Sequence, residues 1–245
     1  NIFLVLNFFF LAYFNEKVVG RAIKKSSVPR SDIFLSTKLW PSVYESPTGV
    51  DETFDRLQLD YVDLLFLHQP AGNYVAGYKQ LEKAYKQKRI RSIGISNFDR
   101  EPLKRILNEC EIKPHVVQVE LHPYFTQQEL QKRFKPYGTT FMGWYPLGHG
   151  DPTLMNQDVF TRLTKKYHKS NAQIILRWHV QKGFITITGA TIPEFITANI
   201  DIFDFNSLLS SSPSVSDDLI GTLEFFMHLV NLSTLFSNFE IFNFN

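Results

Sequence analysis

The hydrophobic and polar positions of the chain alternate in blocks that predict strands and helices in turn. The most informative block runs from Leu59 to Pro70, where Val62 to Leu67 form a short, nearly continuous apolar run. A run of this kind is typical of a strand buried on both faces of a parallel sheet. It ends at His68 and Gln69, so a titratable group lies where a buried strand ends.

The same pattern recurs along most of the chain. Six strands are predicted between residues 33 and 187, and residues 2–12 could supply a seventh, whereas an eighth is not identifiable. Polar or aromatic side chains follow several of these strands. The six predicted strands are Ile33–Thr37, Val62–Leu67, Ser92–Ile95, Val116–Leu121, Thr139–Trp144 and Phe184–Ile187.

Amphipathic helices are predicted between the strands. A helix is predicted from Asn15 to Lys25, with an apolar stripe that consists of Val18, Val19, Ala22 and Ile23. A further helix is predicted from Tyr78 to Lys86, and Asp99 is a plausible N-cap of the next one. Strand and helix alternation with short connections predicts right-handed βαβ units and a parallel sheet. A doubly wound sheet would need a glycine-rich fingerprint after an early strand, and none is present.

Composition and charge narrow the class of partner. The chain has 245 residues, 44% of them hydrophobic, which is enough for one barrel core. Its net charge of +2 comes from 26 basic and 24 acidic residues without charge runs, so neither a nucleic-acid footprint nor a basic membrane patch is predicted. We therefore expect a small-molecule partner. The sequence carries no signal for oligomeric state.

The single cysteine and the two ends of the chain add three expectations. Cys110 excludes a disulfide framework and a cysteine-cluster metal site, and it fits a reducing, cytoplasmic compartment. Residues 1–14 are apolar but shorter than the roughly 20 residues that span a bilayer, so we expect a buried strand and no membrane anchor. We predict a barrel over residues 1–205 and a divergent serine-rich linker with an apolar tail over residues 206–245.

Three candidate catalytic residues, Tyr13, Lys38 and His68, end three successive predicted strands. In a barrel such strand ends meet at one face. A positive lysine beside a phenol lowers the pKa of the tyrosine, which improves it as a proton donor to a carbonyl oxygen. The histidine would orient that oxygen. The alternatives are a lysine that merely extends its ammonium group to water and a histidine with a structural hydrogen bond.

At these residues the chain resembles the aldo-keto reductases, from roughly Tyr13 to Phe205. The resemblance implies a (β/α)8 TIM barrel, α/β in class and incomplete at the N-terminus because the family's first strand and helix are not found. It also implies reduction of aldehydes or ketones to alcohols by hydride transfer from NADPH, of the alcohol dehydrogenase (NADP+) type and without metal. The matching segments, in the family's order, are AYFNEKVVGRAIK, FLSTKLW, LDYVDLLFLHQP, RSIGISNF, VVQVELHPYF, WYPLGHGD and ANIDIFDF.

The resemblance assigns a role to each matching position. Tyr13 is the general acid, Lys38 lowers its pKa, and His68 orients the substrate. Trp40 lines the substrate pocket with His68, and Trp144 stacks on the nicotinamide ring. The carboxamide is bound by Ser96, Asn97 and Gln118, and the remaining cofactor contacts are Tyr145, Leu147, Gly148 and Asn199.

The sequence departs from the family at a catalytic position. Phe8 stands five residues before Tyr13, where the family has an aspartate that pairs with the lysine. Asn7 is adjacent, but a one-residue step along a strand points to the other face, so Asn7 could replace the aspartate only if the strand bulges. We expect reduced activity.

A second departure follows the last predicted strand. Thr188, Gly189 and Ala190 stand where the family has Pro-Lys-Ser, and Phe195 replaces an arginine of the 2′-phosphate grip, while Asn199 matches. Such charge-assisted contacts are worth a few kcal/mol, so we expect weaker preference for NADPH and possible use of NADH.

Two other functions remain open at this point. One is a catalytically impaired barrel that binds a nicotinamide nucleotide or a protein partner, which the two departures favour. The other is an aldolase or lyase barrel in which Lys38 forms a Schiff base.

Overall fold

A computed structural model of the chain describes residues 4–10, 15–190 and 192–205, the first range by its backbone alone. The strands form one parallel sheet in which each strand pairs with the next along the chain. The strands are β1 Leu4–Phe10, β2 Ile33–Leu39, β3 Val62–Leu67, β4 Ile90–Ser96, β5 Val116–Glu120, β6 Thr140–Trp144 and β7 Ile185–Thr186.

Helices connect consecutive strands. A sheet whose spatial order follows the chain order, with a helix in the crossovers, has barrel winding and lacks the reversal of a doubly wound sheet. The predicted α/β barrel is therefore confirmed, with seven strands among the described residues. The helices are α1 Glu16–Lys25, α2 Gly49–Leu57, α3 Tyr74–Lys86, α4 Arg100–Glu109, α5 Gln128–Phe134, α6 Pro152–Met155, α7 Asp158–Tyr167, α8 Asn171–Gln181 and α9 Pro193–Ile200.

The central strand β3 is buried at every position, as its apolar run predicts. Leu64 and Phe66 face inward and pack with Val116 and Met142 in an inner cluster. Alternate residues of the same strand belong to the larger layer between the sheet and the helices. The inner layer is tight, because a Cβ atom on Gly94 would lie 2.3 Å from the Phe66 ring.

The acidic residue of β3 is matched by two arginines. Asp63 is buried, and its carboxylate contacts Arg30 and Arg91, both at 2.9 Å. The backbone N–H of Leu35 donates to the same carboxylate at 2.9 Å. A buried carboxylate is tolerated when it is paired and hydrogen-bonded, so this residue ties three strands together at the N-terminal edge of the sheet.

Two predicted boundaries need correction, at α3 and β7, and one predicted N-cap has the expected position. Helix α3 begins at Tyr74 and not at Tyr78, because the Asn73 side chain accepts a hydrogen bond from the Ala76 N–H at 3.2 Å and caps an additional turn. Asp99 occupies the N-cap position of α4 without a side-chain capping bond. Strand β7 has two residues, although the Ile187 N–H still donates to the Gly143 carbonyl at 3.0 Å.

The segment after α9 contacts the barrel through ion pairs of one lysine and through apolar packing. Lys169, between α7 and α8, contacts the carboxylates of Asp201 at 2.8 Å and Asp204 at 2.9 Å. Phe205 packs in the apolar cluster of α7 and α8. The predicted linker and tail, residues 206–245, lie outside the described residues. Within the described ranges, no helix is both long and apolar enough to cross a membrane.

Replacing Gly20 by Ala should destabilise the fold, although alanine is favoured over glycine in helices by roughly 1 kcal/mol. The added Cβ on α1 would lie 1.8 Å from the Leu57 carbonyl oxygen at the end of α2. Relieving this clash requires backbone movement, so we expect the free energy of unfolding to fall by about 1–3 kcal/mol in urea denaturation.

The control is Gly189→Ala, where an added Cβ has no atom of the described residues within 4 Å. We expect a change below about 0.5 kcal/mol for this variant. Equal stability of the two variants would contradict the close contact between α1 and α2.

Candidate functional site

The C-terminal ends of the parallel strands form one rim, and most predicted site residues lie there. Lys38 is in register with Phe66, Ser96 with Gln118, and Glu120 with Trp144. Side chains that follow different helices in the sequence are thereby brought to adjacent positions, as the barrel winding requires.

Five of the predicted site residues are joined by side-chain hydrogen bonds, and we call this set the rim network. The Lys38 ammonium group donates to Gln118 Oε1, and the Ser96 hydroxyl donates to the same oxygen at 3.4 Å. Asn97 Nδ2 donates to Ser96 Oγ at 3.3 Å, and Trp144 Nε1 donates to Asn97 Oδ1 at 2.9 Å. The network therefore runs from the candidate catalytic lysine to the candidate stacking tryptophan across four strands.

Burial changes the ionisation of Lys38. The residue is 9% exposed, and its nitrogen lies 5.6 Å from the centroid of the Phe66 ring. Loss of hydration disfavours the charged form and lowers the Lys38 pKa to about 7. Protonated and neutral Lys38 therefore coexist near neutral pH.

His68 lies against Trp40 at the next strand ends. The two ring centroids are 4.7 Å apart with 55° between the planes, and the backbone N–H of His68 donates to the Leu39 carbonyl at 3.1 Å. Burial, and secondarily the charge of Lys38, lowers the His68 pKa to about 4. The imidazole is neutral at pH 7, and a neutral imidazole carries one N–H that can donate to a carbonyl oxygen.

The loop after β6 carries the predicted cofactor contacts Tyr145, Leu147 and Gly148. Trp144 meets Tyr145 edge-on at 4.6 Å. Leu147 packs against the apolar cluster of α7 and α8. Gly148 has φ of 56°, and a Cβ there would lie 2.8 Å from Leu154, so the close turn requires glycine.

The segment after β7 contains no lysine or arginine from Thr188 to Asn199. Phe195 is 58% exposed on α9, and Asn199 is half-buried on the same helix. The substitutions noted in the sequence thus lie in a segment without basic side chains, whose one charged residue is the exposed, acidic Glu194.

The rim network has the chemistry to bind an amide. Ser96, Asn97 and Gln118 offer a hydroxyl and two carboxamides, which donate and accept hydrogen bonds. Gln118 Nε2 currently donates to the Met142 sulfur at 3.1 Å, and sulfur is a weak acceptor that a ligand oxygen can replace. These residues fit a nicotinamide carboxamide. Among the described residues, no group of three or more His, Cys, Asp or Glu could hold a metal ion.

Tyr13 lies outside the described residues, and β1 is described by its backbone. Phe10 pairs with Lys38 and Asn7 with Ser36, so three steps on β1 oppose two on β2. One extra residue is inserted between these pairs, which is a β-bulge. The backbone of β1 therefore shifts its register against β2 between Asn7 and Phe10, in the stretch that includes Phe8.

Sequence reasoning missed several polar residues near the rim. Glu120 contacts His122 Nε2 at 3.2 Å, and His179 is fully buried between two backbone carbonyls. Tyr44, in the loop after β2, bonds to the backbone of Gln69. No periodicity marks this loop, so the available signal was an aromatic residue in a loop, four positions after Trp40.

Comparison with known proteins gives three findings. Residues 11–212 match the family model described as the Aldo/keto reductase family. The glyoxal reductase of Bacillus subtilis (strain 168) is 42% identical over 197 residues, which cover 79% of this chain and 71% of that protein. A crystal structure of an aldo/keto reductase from Brucella melitensis superposes with a TM-score of 0.75 at 37% identity, covering 87% of this chain and 81% of that one.

A variant of the protein Gox0644, solved in complex with NADPH, has a similar fold. Its TM-score is 0.73 at 30% identity, and the match covers 88% of this chain and 76% of that chain.

Replacing Lys38 by Met should remove a pH dependence of stability. The folded pKa is about 7, below that of the unfolded chain, so the unfolded state binds more protons between these values. The stability of the wild-type protein contributed by this group therefore rises from about pH 7 to about pH 10.5. Relative to wild type, the variant should gain on the order of 3 kcal/mol more at pH 6 than at pH 10.

Urea denaturation at pH 6, 8 and 10 measures this difference. Lys86→Met is the control, because Lys86 lies at the exposed end of α3 and its pKa is raised by Glu111. A stability difference for Lys38→Met that is constant over this range would contradict the burial of the ammonium group.

Proposed function

Because the chain belongs to the aldo/keto reductase family, we propose that it reduces small aldehydes or ketones to alcohols with NADPH. The observation that carries the proposal is the rim network, which joins Lys38 to Trp144 beside the His68 and Trp40 pair. Groups for polarising a carbonyl and groups for binding a nicotinamide thus lie on one rim.

The proposed proton donor is Tyr13, which transfers its phenolic proton to the carbonyl oxygen as the alcohol forms. Lys38 acts on Tyr13 through its charge, since a neighbouring cation stabilises the phenolate. The Lys38 pKa of about 7 means that this charge is lost as pH rises above neutral. We therefore expect the reduction rate to decline on the alkaline side of pH 7.

The proposed role of His68 is to orient the substrate. Its neutral imidazole donates a hydrogen bond to the carbonyl oxygen without competing as a strong acid. Trp40, at 4.7 Å from this ring, limits where the substrate can lie. Hydrogen bonding of the same oxygen by Tyr13 and His68 directs the carbonyl carbon toward the cofactor.

NADPH, when bound, supplies the hydride. Ser96, Asn97 and Gln118 would bind its carboxamide, and the Trp144 indole, held by Asn97 Oδ1 at 2.9 Å, would stack on the ring. Tyr145, Leu147 and Gly148 would contact the cofactor from the loop after β6, and Asn199 would contact the adenine. Stacking between aromatic rings adds to the energy of burial.

We propose that selectivity between NADPH and NADH is weak. No cation lies between Thr188 and Asn199, and Phe195 presents an exposed aromatic ring. A phosphate gains most from arginine or lysine, so the 2′-phosphate of NADPH adds little affinity at this surface.

The proposed substrates are small dicarbonyls. This choice rests first on the 42% identity to a protein named glyoxal reductase. It rests second on the proposed substrate-binding residues beside the rim network, which are His68 and Trp40. Glyoxal is therefore the first substrate to test. An impaired, nucleotide-binding barrel is the second candidate, because Phe8 cannot carry charge at the family's aspartate position.

NADPH should quench the intrinsic tryptophan fluorescence of the protein in a saturable manner, and Trp144→Ala should abolish most of that quenching. Trp178→Phe is the matched control, because Trp178 is buried on α8 in the outer layer of the core. We expect the Kd for NADH to lie within about tenfold of that for NADPH, a difference of 1.4 kcal/mol.

Absence of quenching by either nucleotide, in a protein shown to be folded, would overturn the reductase proposal. Quenching without turnover of glyoxal would favour the impaired barrel.

Phe8→Asp should increase the reduction rate at pH 8–9 by about tenfold, since a carboxylate near Lys38 favours the charged lysine. The rate of NADPH oxidation with glyoxal across pH 6–9 measures the effect. Phe8→Asn is the control of equal size without charge. Equal gains from the two variants would show that size, and not charge, limits the wild-type protein.

A further inference from the structure

We propose that the Tyr44 hydroxyl is a positioning group that holds His68 in place against Trp40. The proposal rests on the proposed reductase function, because His68 and Trp40 are its substrate-orienting pair. Tyr44 lies in the loop between β2 and α2, five residues before Gly49 begins that helix. Trp40 lies in this same loop, and His68 lies in the loop between β3 and α3. The Tyr44 hydroxyl reaches this second loop.

The Tyr44 hydroxyl makes two hydrogen bonds to one residue. It donates to the Gln69 carbonyl at 3.0 Å and accepts from the Gln69 N–H at 3.1 Å. The Gln69 N–H belongs to the peptide that joins His68 to Gln69, and the Gln69 carbonyl belongs to the next peptide. The two bonds therefore fix the backbone directly after His68, on which the imidazole depends for its position. A hydroxyl can do this because it is both donor and acceptor.

Tyr44 is itself held from two sides by α3. Its side chain is 0% exposed, and the ring lies so close to Gly77 that a Cβ there would be 2.8 Å from the ring Cγ. Gln80 Nε2 donates to the Tyr44 carbonyl at 2.6 Å. Burial raises the Tyr44 pKa to about 12, so the hydroxyl keeps its proton at neutral pH.

These contacts make the two loops one unit. At the strand ends, the His68 N–H donates a hydrogen bond to the Leu39 carbonyl at 3.1 Å. Farther along the two loops, the Tyr44 hydroxyl is hydrogen-bonded to Gln69. The ring contact of 4.7 Å between Trp40 and His68 lies between these two ties. Displacement of a positioned group by about 1 Å can cost up to 100-fold in rate, so loss of the second tie should affect catalysis.

The decisive variant is Tyr44→Phe, which keeps the ring and removes the hydroxyl. We expect the single-turnover rate of NADPH oxidation at saturating glyoxal to fall about tenfold. The Kd for NADPH should stay within about twofold, because Tyr44 does not contact the rim network. This split separates positioning of the substrate from general damage to the site.

Tyr78→Phe is the matched control. Tyr78 is also 0% exposed, and its hydroxyl donates to the Ile112 carbonyl at 2.9 Å, ahead of β5 and away from the rim. We expect its single-turnover rate to stay within about twofold of wild type. Equal losses in the two variants, or an unchanged rate in Tyr44→Phe, would overturn the proposal.

Hydrogen exchange in the wild-type protein provides a test that needs no variant. The Gln69 amide should exchange slowly because the Tyr44 oxygen accepts its hydrogen. Slow exchange supports the positioning role, and exchange at the rate of an unstructured chain overturns it. This measurement also separates the two proposals. Failure of the wild-type protein to bind NADPH or to turn over glyoxal would refute the reductase function. The exchange rate of the Gln69 amide would still decide whether Tyr44 makes its contact.

Discussion

The constraint on which the site depends is the burial of parallel strands on both faces. A strand such as β3, buried from Val62 to Leu67, has apolar neighbours inside the barrel and beneath the helices. Polar side chains can then be accommodated at its ends, where loops and water supply hydrogen bonds. Asp63 occupies the N-terminal end with two arginines, and His68 follows the C-terminal end. In barrels of this kind, residues at the N-terminal ends of the strands contribute to stability, and functional residues lie at the C-terminal ends. The placing of Asp63 and His68 agrees with this division.

The sequence predicted the parts of the fold that periodicity controls. The run from Val62 to Leu67 coincides with β3. The apolar stripe predicted for α1 is only partly right, because Val19 and Ile23 are buried and Ala22 is half-buried, but Val18 is exposed. Periodicity does not specify where an irregular turn becomes a helix, so the turn added by Asn73 to α3 was missed. The strand predicted at Phe184–Ile187 is present but shorter, because the length of β7 depends on its pairing with Met142 and Gly143, which periodicity does not show.

The candidate site was predictable as a set of residues, but its connections were not. The family motifs singled out Lys38, Gln118 and Trp144, and the structure brings them into the rim network. The contact between Lys38 and Gln118 joins residues 80 positions apart, so no local pattern could reveal it. The contact of Tyr44 was not predicted for the same reason, because its partner Gln69 lies on another loop. Tertiary hydrogen bonds of this kind depend on the packing of several elements at once.

The hydrogen bonds between Tyr44 and Gln69, which join the Trp40 and His68 loops, also affect the entropy of substrate binding. Two independent loops would each surrender backbone freedom when a substrate binds, at roughly 1–2 kcal/mol for every residue that becomes ordered. Here the ordering accompanies folding, because Tyr44 is packed against Gly77 and bonded to Gln69 before any ligand arrives. Association with a small carbonyl compound then carries a modest entropic penalty, which suits a ligand with few atoms to contribute binding energy.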